Sequence, residues 1–321
     1  MPELPEVQTI VNDLNRKIKG LTIADVWTDW PKYFSAKGGS AFGGKRHYSD
    51  FGGFKKEIKG KKIKKIWRIG KNIIFDLSDN KKMLIHQKMT GHMLVGKWQF
   101  KNNGWVVAEK GVLNDRVNGY IHVMFWLGGS SNKVGASKML ALSDLRKFAK
   151  VLAVDKKDFK NLEDVKNIGP DPLTPKFRFN EFKNLISKKR GPIKKILMDQ
   201  NVVSGIGNIY SDEILFVAKI HPLKKAEKLG DKELRAVFEA TKKILKKAVK
   251  LRGTSTSDYR DTAGKAGRYT EVRLVYQREG EKCPRLRQGF GGQARKCGGI
   301  IKRIKIGGRS AHFCPYCQIH A

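Results

Sequence analysis

Two parts of this chain hold residues able to do covalent or coordination chemistry: the first six residues and the cysteines. Pro2 follows Met1, and removal of Met1 would expose a secondary amine as the chain terminus. An α-amino group titrates near pH ~8, so a useful fraction is unprotonated at neutral pH. Such an amine can attack the C1′ carbon of a nucleotide sugar and displace its base. Opening of the sugar then leaves a cationic iminium, an electron sink that favours loss of the flanking phosphates. Glu3 is adjacent and can protonate the ring oxygen as a general acid, with Glu6 as a supporting acid nearby. The same residues also suit a helix start, with Pro2 at its first position and acids complementing the dipole. Both readings stand on these residues alone.

The chain has 4 cysteines, Cys283, Cys297, Cys314 and Cys317, all close to its end. Such clustering in a reducing compartment points to a metal rather than to disulfides. Cys314-Pro315-Tyr316-Cys317 is a two-residue knuckle suited to setting two thiolates on one zinc ion. The matching pair, Cys283 and Cys297, is split by the glycine-rich stretch Leu286 to Lys296. The expectation is a looped-out insert with all four thiolates on one structural Zn2+. Loop closure grows only logarithmically with length, so the insert adds roughly 1–2 kcal/mol. His312 or His320 stands as an alternative ligand for a displaced cysteine.

The elements that must position these groups follow from periodicity. Val7, Ile10, Val11 and Leu14 predict a helix from Pro5 to Lys17. Leu21 to Val154 reads as strands, notably Ile63–Leu77 and Lys82–Val95. After Gly169-Pro170 the texture turns helical. Ile193 to Gln200 predicts one helix, Val202 to Asn208 turns with Asn208 as N-cap, and Ile209 to Val217 a second. A longer helix through Leu234 to Ala248 ends before Gly253, and Thr254 to Gly267 reads as a loop. Gly205 and Gly207 allow close backbone approach to an anion at the second helix. Two glycine-rich, basic stretches, 35–53 and 286–296, are expected as exposed inserts. The resulting division is 1–154, 155–269 and 270–321.

Lys and Arg number 66 against 30 acids, a formal net charge of +36 and a pI near 10.1. A compact domain so charged repels itself unless it meets a polyanion. The basic residues are spread along the chain, which favours nucleic acid over a membrane surface. A generally lysine-rich proteome is the plain alternative. The sequence has no long apolar run, and its acidic, proline-rich start is unlike a secretory signal. A cytoplasmic, nucleoid-associated, monomeric protein is expected.

Pro2-Glu3-Leu4-Pro5-Glu6-Val7 resembles the opening of the formamidopyrimidine-DNA glycosylase family, and five further landmarks follow in order. Arg68-Ile69-Gly70-Lys71 resembles the family's hairpin lysine, which implies that Lys71 contacts phosphate and assists proton transfer. His86-Gln87-Lys88-Met89-Thr90-Gly91 resembles the loop whose Met enters the duplex. An extruded base leaves a hole that an unbranched apolar side chain can fill. Asp144-Leu145-Arg146-Lys147-Phe148 resembles a second loop, implying that Arg146 pairs with the orphaned base while Phe148 wedges beside it. Leu145 stands where the family usually has Pro.

The string Val203 to Glu213, with Ile220-His221-Pro222 behind it, resembles the family's helix–two-turn–helix element. That implies Lys194 and Asn208 as phosphate ligands and Glu213 as a supporting residue in the cleft; Lys189 joins them on charge and position. The cysteine region resembles the family's zinc hairpin, on which Arg309 matches an arginine that contacts phosphate beside the lesion. Thr254 to Gly267 occupies the place of the lesion-recognition loop.

The resemblance implies a multidomain α+β protein: an N-terminal β-sandwich, then a helical domain with a zinc β-hairpin, with DNA in a basic cleft between. The implied activity is a bifunctional DNA glycosylase and AP lyase that removes oxidised purines from damaged double-stranded DNA. Leu4 and the helix-pair string resemble the purine branch, whereas Tyr120 and the Asn114–Asn118 stretch match it poorly. The endonuclease VIII type, acting on oxidised pyrimidines, is therefore the nearest alternative. An inactive zinc-finger DNA-binding protein and a basic ribosome-associated protein are the others.

Overall fold

The computed structural model describes residues 1–34, 50–108, 110–129, 136–288 and 294–319. They fall into two compact units, residues 1–166 with 251–268, and residues 167–250 with 269–321. The loop 254–267 and residues 155–166, which the sequence division placed with the helical region, thus belong to the first unit.

The first unit opens with α1 (Leu4–Ile18). Glu3 caps this helix reciprocally with Glu6, and Pro5 takes the early helical position. Pro2 lies before the helix, so the helix-start reading of that residue gives way: Pro5 and the two glutamates do that work.

Among the described residues ten strands follow: β1 (Thr22–Thr28), β2 (Ile63–Ile69), β3 (Asn72–Leu77), β4 (Lys81–His86), β5 (His92–Gly96), β6 (Trp98–Lys101), β7 (Gly104–Val107), β8 (Ile121–Gly128), β9 (Ala136–Ser143) and β10 (Lys150–Asp155). One antiparallel sheet runs β1-β8-β9-β5 and a second β10-β4-β3-β2, while β6 and β7 pair separately. The period of two decides which residues meet. Ile73, Phe75 and Leu77 on β3 join a core that also takes Val123, Phe125, Leu140 and Leu142 from the other sheet, with Val7, Ile10 and Leu14 from α1. Ile74, one step out of phase, packs with Leu84, Leu152 and Phe159 on the opposite face. This is the expected β-sandwich.

A short helix, α2 (Phe51–Ile58), was not expected. The glycine-rich pattern predicts an exposed insert through Gly53, yet Asp50 Oδ1 accepts a bond from Gly53 N at 2.9 Å and caps a helix that buries Phe54 and Ile58. The remainder of that insert, 35–49, lies outside the described residues.

The second unit holds α3 (Phe179–Ser187), α4 (Ile193–Leu197), α5 (Asn208–Ala218) and α6 (Asp231–Lys250), with α6 packed on α5. Its strands form two hairpins, β11 (Leu286–Gln288) with β12 (Ala294–Lys296), and β13 (Lys302–Ile306) with β14 (Arg309–Phe313). The second insert is therefore bounded by a paired ribbon rather than being loop throughout; 289–293 lie outside the described residues. No helix among the described residues is long and apolar enough to cross a membrane.

Candidate active site and nucleic-acid interface

The chain start is embedded rather than free. Pro2 is buried, Glu3 and Glu6 are almost wholly enclosed, and Glu3 N donates to Glu6 Oε2 at 2.8 Å. The Met1 ammonium, one residue upstream of the prolyl nitrogen, has its pKa lowered chiefly by burial, with Glu3 and Glu6 pulling it up and Lys71 pushing it down. These opposing charges place Pro2, Glu3, Glu6 and Lys71 in one neighbourhood. Lys71 itself is buried on the two-residue turn between β2 and β3, where Gly70 takes φ +57°. Arg68 braces that turn, donating to Gly70 O at 3.0 Å and to Gln8 Oε1 at 3.1 Å.

The loop 254–267 is tied to α1 at Glu6, Asp13 and Lys17. Thr254 N donates to Glu6 Oε1 at 2.7 Å, and Gly253, at φ +83°, leaves room for that carboxylate: a Cβ there would sit 2.7 Å from Glu6 Oε1. Further along α1, Asp13 accepts from Arg252 and, at 3.0 Å, from Thr262 Oγ1, while Arg252 Nη2 also reaches Asp261 Oδ2 at 2.7 Å. Neither Asp13 nor Arg252 was picked out from the sequence, because their partnership spans most of the chain.

Burial raises the Asp13 pKa, but bonds and charge from Arg252, with Thr262 and Arg16, outweigh it and hold the carboxyl below its ordinary value. Asp13 therefore stabilises the fold above the unfolded carboxyl pKa of ~3.9, and that contribution is lost as pH falls through its folded value. Asp13→Asn is expected to lower the urea midpoint at pH 7 and to shrink the wild-type loss of stability below pH ~4. An unchanged acid limb would contradict this assignment.

Met89 and Phe148 are exposed on neighbouring turns, at 37% and 51% of their surface. Their flanks make this possible. Gly91 closes the first turn onto Gln87 O at 3.1 Å, where a Cβ would clash at 2.5 Å. His86 Nδ1 accepts from Lys88 N at 2.9 Å, so this imidazole is needed neutral, and burial with Lys88 nearby holds its pKa down at about 3. The Arg146 guanidinium lies 4.8 Å from the centroid of the Phe148 ring, and Leu145 is exposed.

In the second unit, Lys194 takes a structural role instead of the expected phosphate contact. Lys194 is 1% exposed: its ammonium meets Asp212 Oδ1 at 2.5 Å, Ser211 Oγ at 3.1 Å and Asn208 O at 3.3 Å. A cation so enclosed braces the start of α5 and has no surface left for a phosphate. The N-cap of α5 is Gly207, with Asn208 the first helical residue; the Asn208 amide donates instead to Ser310 Oγ at 3.3 Å.

Glu213 is likewise a strut rather than a group facing a cleft. It accepts from Leu274 N, Val275 N and Tyr276 N at 2.8, 2.9 and 3.0 Å and from Tyr269 Oη at 3.1 Å. Burial raises its pKa against the pull of these donors. Glu213→Ala would strand three backbone donors, so we expect a loss of about 3–5 kcal/mol in urea unfolding; a change under about 1 kcal/mol would refute the strut. Lys189 is exposed just beyond α3, and Arg309 is exposed at the start of β14.

The four cysteine sulfurs lie within 4.8 Å of one another. Cys297–Cys317, Cys297–Cys314 and Cys283–Cys317 are separated by 3.1, 3.7 and 3.9 Å. These are far beyond disulfide length (~2.05 Å) but bracket the ~3.8 Å edge of a tetrahedron with Zn–S bonds of ~2.3 Å. The donor set therefore fits one structural zinc, with Cys283 included despite the insert. Gly299 permits the closeness, since a Cβ there would lie 2.7 Å from Cys314 Sγ. His312 is no substitute ligand: its Nδ1 and its backbone N both bind Asp212 Oδ2 at 2.9 Å. His320 lies outside the described residues.

Comparison with known proteins agrees along the whole chain. Residues 1–151 match the formamidopyrimidine-DNA glycosylase N-terminal domain, 168–260 the H2TH domain of the same glycosylase, and 280–319 a zinc finger found in FPG and IleRS. The formamidopyrimidine-DNA glycosylase of Listeria innocua is 33% identical over 99% of this chain and 100% of its own length; that of Pelotomaculum thermopropionicum is 32% identical over 99% of each. The Lactococcus lactis Fpg in complex with DNA containing an abasic site superposes with a TM-score of 0.79 at 30% identity, covering 99% of this chain and 100% of the other. MutM in complex with DNA containing carbocyclic 8-oxo-G gives a TM-score of 0.78, with the same identity and coverage. The N-terminal domain, the H2TH domain and the zinc finger are thus each matched in chain order, and the chain belongs to the formamidopyrimidine-DNA glycosylase family.

Proposed function

We propose that this chain excises oxidised purines, 8-oxoguanine and formamidopyrimidines, from duplex DNA and then cleaves the strand, with Pro2 as the nucleophile. The observation that carries the reading is the chain start. Pro2 is buried beside Glu3, in the electrostatic reach of Glu6 and Lys71, in a member of this glycosylase family. Once Met1 is removed, the Pro2 nitrogen attacks C1′ of the flipped nucleotide. A C–N bond forms as the glycosidic bond breaks, and the base departs with a proton. Glu3 protonates the ring oxygen, which opens the sugar and leaves the iminium.

The iminium acidifies the C2′ hydrogens. Loss of one expels the 3′ phosphate, and a second elimination expels the 5′ phosphate; Lys71 and Arg309 are the cations assigned to these steps. Met89, Arg146 and Phe148 occupy the gap and face the orphaned base, while Lys189 and Asn208 remain assigned to the backbone. Zinc, held by Cys283, Cys297, Cys314 and Cys317, keeps the hairpin bearing Arg309 folded and takes no part in bond breaking. The protein acts as a monomer in the cytoplasm, on nucleoid DNA.

Incubation with duplexes carrying either 8-oxoguanine or an oxidised pyrimidine tests the substrate class. The purine is expected to be removed at least about tenfold faster, a difference of ~1.4 kcal/mol in transition-state binding. The opposite preference would assign the chain to the endonuclease VIII type. Lesion-independent binding without turnover would reduce it to a zinc-finger DNA-binding protein.

A further inference from the structure

We propose that Asp144 is a positioning residue that locks the Met89 turn and the Arg146–Phe148 turn into one insertion unit, and so sets discrimination of the base opposite the lesion. This rests on the function proposed above and adds a residue that the chemistry itself does not require. Asp144 has no exposed surface. Its Oδ1 accepts the hydroxyl hydrogen of Thr90, and its Oδ2 accepts from Tyr33 Oη at 3.1 Å and from Ala149 N at 2.8 Å. Thr90 Oγ1 in turn accepts from Arg146 N at 3.0 Å. One hydroxyl thus donates to the root of the second turn and accepts from the residue that would meet the orphaned base. The Asp144 backbone closes the unit, its N donating to Tyr120 O at 2.8 Å and its O accepting from Lys147 N at 3.1 Å.

Both turns need such an anchor. Each holds a lysine in the left-handed region, Lys88 at φ 53° and Lys147 at φ 56°, a conformation that persists only where its surroundings enforce it. Each also presents an apolar side chain, Met89 or Phe148, that leaves 37% or 51% of its surface exposed. Turns left independent would have to be ordered at the moment of insertion, and that entropy would be withdrawn from binding. A buried carboxylate with three donors orders them beforehand. Tyr33 suits the third position because burial and the Asp144 charge push its pKa up and keep it a neutral donor.

Thr90→Val removes the bridging hydroxyl at nearly constant volume, whereas Thr90→Ser retains it. The first readout is hydrogen exchange of the full zinc-loaded chain without DNA. The Arg146 and Ala149 amides should exchange about tenfold faster in Thr90→Val and at the parent rate in Thr90→Ser, with the β4 amides unchanged as a check on folding. The second is catalytic. Thr90→Val should lower excision from an 8-oxoguanine:cytosine duplex about tenfold more than it lowers cleavage of an abasic site in a single strand, and should bring the cytosine-to-adenine preference towards one. Unchanged exchange in Thr90→Val overturns the lock whatever the protein's activity. Equal loss of both reactions, or an intact opposite-base preference, overturns its part in discrimination. A parent chain with no turnover but with the expected exchange pattern would instead refute the function while leaving the lock standing.

Discussion

A chain carrying a short tag ahead of Met1 is expected to lose base excision and strand cleavage by at least roughly a thousandfold while keeping its affinity for duplex DNA within a few-fold. The reason is reach. Each added residue can carry an amine up to ~3.6 Å further from its place, whereas bond formation needs reacting atoms about 3–3.5 Å apart. Pro2 is buried with Glu3, and Glu3 N is already committed to Glu6, so the backbone cannot slide to compensate. An amide at Pro2 also has no lone pair to offer. Duplex affinity should survive because it comes from cations spread over a chain of net charge +36. Single-turnover kinetics on a lesion duplex, paired with a binding titration at fixed salt, separates the two effects. Loss of both together would point to misfolding, and retention of cleavage would remove the nucleophile from the N-terminus.

Metal removal should have the second largest effect. Structural zinc contributes ~10–16 kcal/mol to a small finger at neutral pH, as much as the whole stability of an ordinary domain (~5–15 kcal/mol). The sulfur cluster is also the centre of its own apolar core, with Phe216, Val275 and Ile301 around Cys283, Cys297 and Cys314. Arg285 binds that core from the first knuckle, donating to Phe216 O with its guanidinium 4.5 Å from the Phe216 ring centroid. A strong chelator, or Cys297→Ala, should therefore melt β13 and β14 outright and weaken lesion-duplex binding, while the β-sandwich amides stay protected. Native mass spectrometry should find one zinc per chain beforehand. Protection of the hairpin amides after complete metal loss would show that the cluster folds without it.

The sequence made some of this visible because the deciding interactions are local. Val7, Ile10, Val11 and Leu14 mark α1 by their spacing alone, and the observed Leu4–Ile18 differs from the expected span by one residue at each end. The Cys314–Cys317 knuckle is equally local. What stayed hidden depends on distant partners. Lys194 reads as a phosphate ligand until Asp212 is found against it, and Glu213 as a cleft residue until residues 269–276 fold onto its carboxylate. The Asp13–Arg252 pair joins positions 239 residues apart. Helix α2 was masked by its own glycines, which argue against a helix by propensity, and only the Asp50 cap with buried Phe54 and Ile58 outweighs them. Asn208 was misplaced by one position because an asparagine is a favoured cap, whereas here glycine takes the extended cap conformation and the amide reaches Ser310.

Tandem mass spectrometry of the adduct trapped by borohydride on lesion DNA tests the role of the N-terminus most directly. The expected product is a single species lacking Met1, with the sugar remnant attached to the nitrogen of Pro2. A remnant on Lys71 or any other lysine, or strand cleavage with no trapped species at all, would contradict it.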